Sequence, residues 1–251
     1  MIIIHDSRLP EAAIINLHKY GEYLPFITEN ITQNAIAGHP DIFFCPVDEK
    51  MIVAPNIPAV YIDFLLEKKV DYVTGKTIVG NQKQNTTPYN AVITDKYVIH
   101  NSRFTDVSIL EATKNKIFID VKQGFTRCSL MPLKDDNFLV SDKGIEKKLQ
   151  EYELNCHFFS PEEIILPGLT YGLIGGCMGA YQNKVFIIGR LKYHSDGDKT
   201  KLLLRNLNYE IVELYDGKLF DGGSLFFIQS DQEFFDISAQ TGGFSRTQPG
   251  I

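Results

Sequence analysis

Four cysteines, six histidines and a handful of acids carry most of the chemistry open to this sequence. Cys128 stands out because Arg127 precedes it and His39, distant along the chain, could approach it. A cation and an imidazole beside a thiol lower its pKa and make a thiolate nucleophile. The competing reading is an inert buried cysteine packed as a small hydrophobe, the commoner fate of the residue type. Cys177 lies in Gly-Leu-Ile-Gly-Gly-Cys-Met-Gly at 172–179. Such a stretch lets a ligand approach the backbone, and close packing of strands accounts for it equally well. His39 and Asp41 share one face if their segment is a strand, where they could serve as proton carrier and cation anchor. His-Pro-Asp is also an ordinary strand entry, with Pro40 fixing the approach and both polar side chains in water. Asp221 could hold a guanidinium through two oxygens, although Asp-Gly-Gly is a common turn.

Other chemistries find less support. The histidines at 5, 18, 39, 100, 157 and 194 show no i, i+3 or i, i+4 pairing and no carboxylate at ligand spacing, so no metal is expected. Cys45, Cys128, Cys156 and Cys177 form no C-x-x-C pair and are expected to be reduced thiols. The glycine-rich segment 168–179 lacks a Walker lysine and the G-x-G-x-x-G spacing, which argues against a phosphate loop. No cofactor is expected.

The 251 residues are 44% hydrophobic and 22% charged, an ordinary globular composition able to bury a sizeable core. The net charge of −6, with basic residues scattered rather than clustered, gives no electrostatic footprint for nucleic acid. No apolar run approaches the roughly 20 residues that span a bilayer. The start, Met-Ile-Ile-Ile-His-Asp, lacks a basic flank and is too short for a signal-peptide core. A cytoplasmic protein without a membrane partner is the expectation.

A recurring pattern must position these side chains. An apolar run, a polar turn and a second apolar run occur five times, with turn centres at Asp48, Asp95, Asp136, Asn183 and Asp231, spaced by 47, 41, 47 and 48 residues. Each repeat begins as a hairpin: 41–45 with 51–54, 91–94 with 97–100, 128–131 with 138–141, 178–181 with 185–188, and 224–228 before a polar turn at 230–232. Helical spacing follows at 58–69, 105–115, 143–152 and 198–207, and then a short strand at 71–74, 116–120, 155–159 and 209–212. Asp106 and Asp142 stand where helix caps belong. The unit is β-β-α-β. The fifth copy lacks its helix, but residues 1–7 read as the second strand of a hairpin, 10–20 as a helix and 22–28 as a strand. The two ends therefore complete one unit, which closes the ring and removes exposed sheet edges. Residues 75–88 read as a surface loop, and 240–251 as a frayed tail beyond a single domain over 1–239.

Five such units about a pseudo-fivefold axis resemble the pentein fold, an α/β propeller shared by guanidine-modifying enzymes and a non-catalytic ribosome anti-association factor. His-Pro-Asp-Ile-Phe-Phe at 39–44, followed by Val47-Asp48, is similar to the first-unit signature of dimethylarginine hydrolases, in which an aspartate helps hold the guanidinium. Asp-Gly-Gly-Ser at 221–224 is similar to their element just before the catalytic cysteine. Three further phrases resemble an uncharacterised bacterial pentein-like family of unknown function: Gly-Phe-Thr-Arg-Cys-Ser at 124–129, Ser-Asp-Lys-Gly-Ile at 141–145 and Leu-Pro-Gly-Leu-Thr-Tyr-Gly-Leu-Ile-Gly-Gly at 166–176.

The sequence also departs from those enzymes. Phe226 falls where their fifth-unit nucleophile would be, and Gly-Gly-Cys-Met at 175–178 stands where they carry a fourth-unit histidine.

In a ring of this kind the hairpin starts converge on the axis. Repeat phase and resemblance together therefore nominate His39, Asp41, Tyr89, Asn90, Arg127, Cys128, Cys177, Asp221 and Ser224. The resemblance implies a small polar or cationic ligand, with Cys128 as nucleophile, His39 as acid/base and Asp41 with Asp221 holding the cation. The alternative is a non-catalytic interaction or ligand-binding module.

Overall fold

A computed structural model describes residues 1–229. The expected turn at 230–232 and tail at 240–251 lie outside the described residues. The remainder forms a mixed α/β fold of five small three-stranded sheets. The first strand β1 (Ile2–Asp6), helix α1 (Glu11–Leu17) and β2 (Glu22–Phe26) begin the chain. They are followed by β3 (Phe44–Val47), β4 (Lys50–Val53), α2 (Ala59–Glu67) and β5 (Tyr72–Thr74). The second hairpin unit holds β6 (Val92–Ile93), β7 (Tyr97–His100), α3 (Val107–Ala112) and β8 (Ile117–Asp120). A short helix α4 (Thr126–Ser129) leads into β9 (Leu130–Pro132), β10 (Asn137–Val140), α5 (Lys143–Gln150) and β11 (Asn155–Phe158). The last strands are β12 (Met178–Tyr181), β13 (Lys184–Ile187), β14 (Glu210–Glu213), which follows α6 (Gly197–Asn206), and β15 (Phe226–Ile228).

Every sheet has one pattern: a middle strand antiparallel to the hairpin partner before it and parallel to the strand that follows the helix. The chain ends obey it together, since β1 pairs antiparallel with β15 and parallel with β2. A middle strand covered on both faces has no solvent side, so it reads as a continuous apolar run rather than an alternation. All five residues of β1 and all four of β10 are buried accordingly. The helices present i, i+4 pairs to the sheets, namely Ala13 with Leu17, Tyr61 with Leu65, Ile145 with Leu149 and Thr200 with Leu204. Asp106 accepts from the Ser108 amide at 2.8 Å and Asp142 from the Ile145 amide at 2.9 Å, the two caps expected from sequence. At the hairpin tips Asp48 and Gln182 turn left-handed, with φ of 51° and 53°.

The structure corrects two sequence expectations that bear on the site. Residues 41–43 are not strand, because Pro40–Ile42 is a single 3-10 turn. Cys128 likewise sits on the helical turn α4, and its strand begins only at Leu130. A third such turn, Ile174–Cys177, precedes β12. The 75–88 segment is also less exposed than a surface loop, since Val79, Thr86 and Thr87 are buried and Asn56 bonds the backbone of Val79 in both directions.

Two predictions follow from this packing. Ile3→Ala, in the wholly buried β1 strand, is expected to cost about 2–4 kcal/mol in urea unfolding. His100 is fully buried, its ring against the Thr105 hydroxyl and the Gly124 carbonyl, and burial pushes its pKa down from 6.5 to about 4. The unfolded chain therefore binds this proton more readily, so stability falls as pH drops from 6.5 towards 4. Compared with His100→Gln, the wild-type protein should lose on the order of 3 kcal/mol more between pH 7 and pH 4. Equal losses in the two proteins would show that His100 contributes nothing to acid sensitivity.

Candidate functional site

The helical turns at the heads of the hairpins decide where the polar residues go. A turn of helix just before a strand swings one or two side chains away from the sheet, and here those side chains meet. The Asn90 amide donates to the Asp41 carbonyl at 3.0 Å and to Cys128 Sγ at 3.2 Å, while its oxygen accepts the Cys128 backbone N–H at 3.2 Å. The Cys128 thiol donates to Asp41 Oδ2 at 3.1 Å, and the Ser224 hydroxyl donates to the same oxygen at 2.8 Å. Asp221 Oδ1 accepts the Gly223 amide at 3.0 Å and Oδ2 the Leu173 amide at 2.9 Å. Oδ1 also lies 3.9 Å from His39 Nδ1. Side chains from four hairpin heads, with backbone groups of Leu173 and Gly175 from the fourth, thus meet in one buried cluster.

Close backbone approach makes this possible. A Cβ on Gly175 would meet the Arg127 carbonyl at 2.0 Å, and one on Gly223, whose φ is +66°, would meet His39 Cβ at 2.2 Å. Ser224 itself takes a φ of 74°, a left-handed conformation costly for a residue with a side chain. Its hydroxyl reaches both Asp41 Oδ2 and the Gly175 carbonyl from that position.

Among the residues nominated from sequence, His39, Asp41, Asn90, Cys128, Asp221 and Ser224 come together. Arg127 is buried beside them, but its guanidinium donates to the Gly175 carbonyl at 2.9 Å and the Met178 carbonyl at 3.4 Å, and lies 5.7 Å from the Phe226 ring centroid. It ties the third and fourth units rather than facing the thiol. Cys177 gives its thiol proton to the Leu173 carbonyl and packs in an apolar cluster with Ile174 and Met178. Tyr89 is fully buried but engages a different set of groups, its hydroxyl meeting the Thr77 carbonyl at 2.6 Å and Asp106 Oδ2 at 3.2 Å.

The electrostatics are unusual for a buried place. Asp41, Asp221 and His39 are each at most 1% exposed. Burial, and then the neighbouring Asp41 charge, push the Asp221 carboxyl above its ordinary range despite relief from His39. Burial followed by the Asp41 and Asp221 charges push the Cys128 thiol well up, so the resting thiol is protonated. Neither ring nitrogen of His39, nor Asp41 Oδ1, has a hydrogen-bond partner among the described residues. The potential ligand atoms of His39, Asp41 and Cys128 lie within 4.8 Å of one another. Spacing along the chain hid this group, because Cys128 lies 87 residues beyond Asp41.

A pocket of about 170 Å³ reaches the cluster from outside, lined by Asp6, Arg8, Ala35, Leu166 and Pro167 and ending on His39 and Asp221. Asp6 and Arg8 escaped the sequence reading; only their i, i+2 opposite charges hinted at a role. Arg8 grips both carboxylate oxygens of Asp6 at 3.0 and 2.7 Å and the Asn34 carbonyl at 2.5 Å. Larger hollows of about 590 and 450 Å³ lie at the hairpin tips, among turn residues such as Asp48, Lys50, Asp95 and Asp135. They are remote from the polar cluster and bring no comparable set of groups together.

Solved structures with this architecture are guanidino-modifying enzymes. DDAH from Pseudomonas aeruginosa, solved with citrulline, matches with a TM-score of 0.52 at 10% identity over 84% of this chain and 91% of its own. SxtG, an amidinotransferase of saxitoxin biosynthesis from Microseira wollei, matches with 0.51 at 9% identity over 92% and 95%. Agmatine deiminase from C. jejuni matches with 0.53 at 10% identity over 87% and 78%. The fold is therefore that of the pentein superfamily. The chain belongs to the family of unknown function DUF6873, whose model matches residues 4–226. No curated protein matches the sequence. Among the described residues no helix is long and apolar enough to cross a membrane.

Thiol accessibility tests the geometry directly. Cys156 is the one cysteine that is not fully buried, with a pKa raised to about 11 by burial, whereas Cys45 is pushed to about 12. Iodoacetamide at pH 8 should label Cys156 first and Cys128 at least tenfold more slowly in the folded protein. Faster labelling at Cys128 would show that its thiol is neither enclosed nor held protonated.

Proposed function

We propose that this protein binds a small guanidino or amidino compound at the central cluster, as a cytoplasmic, single-domain pentein whose five units close into a propeller. The observation that carries the proposal is an imbalance of buried charge. Two carboxylates, Asp41 and Asp221, share the cluster with one guanidinium, Arg127, that is occupied by backbone carbonyls. A planar cation entering through the 170 Å³ pocket would meet Asp221 beside His39 and relieve that imbalance. The enzymes of like fold act on such groups by the names they carry, dimethylarginine and agmatine among them.

A bound cation would also change the thiol. Burial, and then the charges of Asp41 and Asp221, hold the Cys128 proton, so a guanidinium between those carboxylates removes part of the opposition to a thiolate. Cys128 would then attack the guanidino carbon, its proton passing by way of His39, whose buried ring nitrogens lack partners, to the departing amine; water deprotonated by the same imidazole would then cleave the carbon–sulfur bond, releasing a urea and restoring the thiol. Substrate, rather than a resident base, would activate the nucleophile.

A second reading has its own support. Phe226 occupies the head of β15, where the resemblance places the nucleophile, and the protein's own guanidinium, from Arg127, lies over its ring. On that reading the cluster binds without turnover.

Calorimetric titration of chelator-treated protein with arginine, dimethylarginine and agmatine, coupled to assays for released ammonia and amine, separates these outcomes. Binding should weaken roughly tenfold to a hundredfold in Asp221→Asn, the loss of a charge-assisted pair. Turnover, if seen, should vanish in Cys128→Ser with binding retained. Tight binding without product favours the second reading, and no binding by any of the three at millimolar concentration removes the guanidino assignment.

A further inference from the structure

We infer that His39, Asp41 and Cys128 form a binding site for a divalent metal ion of the borderline-soft, zinc class, with three protein ligands and a fourth position open. The inference goes beyond the guanidino reading and does not depend on it. It rests first on the donor set. Imidazole nitrogen, carboxylate oxygen and thiolate sulfur together are ligands of zinc and its neighbours, whereas calcium and magnesium take oxygen alone.

Geometry comes next. Tetrahedral coordination at ordinary zinc–ligand lengths separates ligand atoms by roughly 3.3–3.6 Å. Cys128 Sγ and Asp41 Oδ2 are 3.1 Å apart, and the whole trio falls within 4.8 Å. A shift of about an ångström, within the reach of side-chain rotation, brings all three onto one ion.

Two independent observations distinguish this trio from a chance meeting of polar residues. The first is the orphaned atoms. His39 is 1% exposed and Asp41 0%, yet both imidazole nitrogens and Asp41 Oδ1 have no partner among the described residues. A buried imidazole normally bonds through at least one nitrogen, and leaving both bare costs the full desolvation of the ring. An ion on one nitrogen, and a carboxylate on the other, would satisfy both.

The second observation is the layer behind the trio. Metal ligands are held by outer hydrogen bonds that fix their orientation and basicity. Asn90 Nδ2 donates to the Cys128 sulfur at 3.2 Å, and Ser224 donates to Asp41 at 2.8 Å. Asp221 stands 3.9 Å from His39 Nδ1, leaving Nε2 for the ion. Asp221 is itself fixed by the Leu173 and Gly223 amides, so closing that gap requires movement of the imidazole alone. Each of the three ligands thus has its own supporting group, Asn90 from the second hairpin head and Ser224 and Asp221 from the fifth. The ion would compete with a guanidinium for Asp41, since both would draw on the same carboxylate.

Cobalt(II) provides a spectroscopic probe of the site. Chelator-treated protein titrated with cobalt(II) chloride, and separately with zinc chloride, should take up one equivalent of either ion and unfold at a higher temperature with it bound. The cobalt form should show thiolate-to-metal charge-transfer absorption. Cys128→Ser should abolish that band and weaken zinc binding at least tenfold, while Cys177→Ser, which alters a buried thiol outside the trio, should retain both. The wild-type titration decides the matter even if a variant fails to fold. Absence of stoichiometric uptake by the wild-type protein, or a band that survives Cys128→Ser, overturns the assignment. Because the guanidino titrations use metal-free protein, failure of one proposal is read separately from failure of the other.

Discussion

Asp41 is the residue on which the centre of this protein depends. Its carboxylate has no contact with solvent and receives the Ser224 hydroxyl and the Cys128 thiol, while its backbone carbonyl receives Asn90 and its backbone N–H bonds the Gly223 carbonyl. Four hairpin heads are joined through one amino acid. A buried carboxylate demands such partners, because an ion taken out of water without them costs several kcal/mol. The requirement works in both directions. The heads hold Asp41 in place, and Asp41 specifies which polar groups must stand opposite one another when the sheets pack.

The rest of the architecture can be understood as the means of bringing those heads together. Each sheet is too narrow to be stable alone, since three short strands bury little on one face. Neighbouring units share apolar clusters that run from one sheet to the next, as in the cluster uniting β1, β3, β4 and α2 residues. Hydrophobic burial supplies the cohesion but is indifferent to detail, whereas the polar centre is sensitive to displacements of an ångström. That division explains why the glycines concentrate at 172–179 and 222–223. Backbone from the fourth and fifth units must pass within contact of His39, Arg127 and Asp221, and a side chain at Gly175 or Gly223 would collide.

Much of this was legible in the sequence because the repeat is carried by local patterns. Hairpin, helix and strand recur at nearly constant spacing, and the elements fall within two or three residues of the places that periodicity assigns, as with Lys143–Gln150 and Gly197–Asn206. The completion of a unit by both ends was legible for the same reason, since 1–7 repeats the pattern of 138–142. What period-two reasoning missed was the helical turn before β3, β9 and β12. Pro40 at the start of one such turn was a signal for it, because proline is favoured at the first position of a helix. No comparable mark distinguishes residues 126–129, where Thr, Arg, Cys and Ser fit a strand equally well. The direction of Arg127 and the meeting of His39 with Cys128 depend on packing between distant units, which leaves no trace in local spacing. Asp6 and Arg8 were overlooked because their partners, the carbonyls of Asn34 and Ala35, are visible only once the chain has folded.

The placement of Phe226 bears on how such a centre can change its chemistry without changing its fold. An aromatic ring at the head of β15 cannot act as a nucleophile, but it provides a face for the Arg127 guanidinium, and that contact anchors a cation where a mobile substrate would otherwise be needed. With Arg127 held by the Gly175 and Met178 carbonyls, the reactive groups available at the centre are displaced towards the first and third units, where His39, Asp41 and Cys128 stand. At the third head the sulfur faces a carboxylate rather than a resident cation, and burial together with that charge holds its proton.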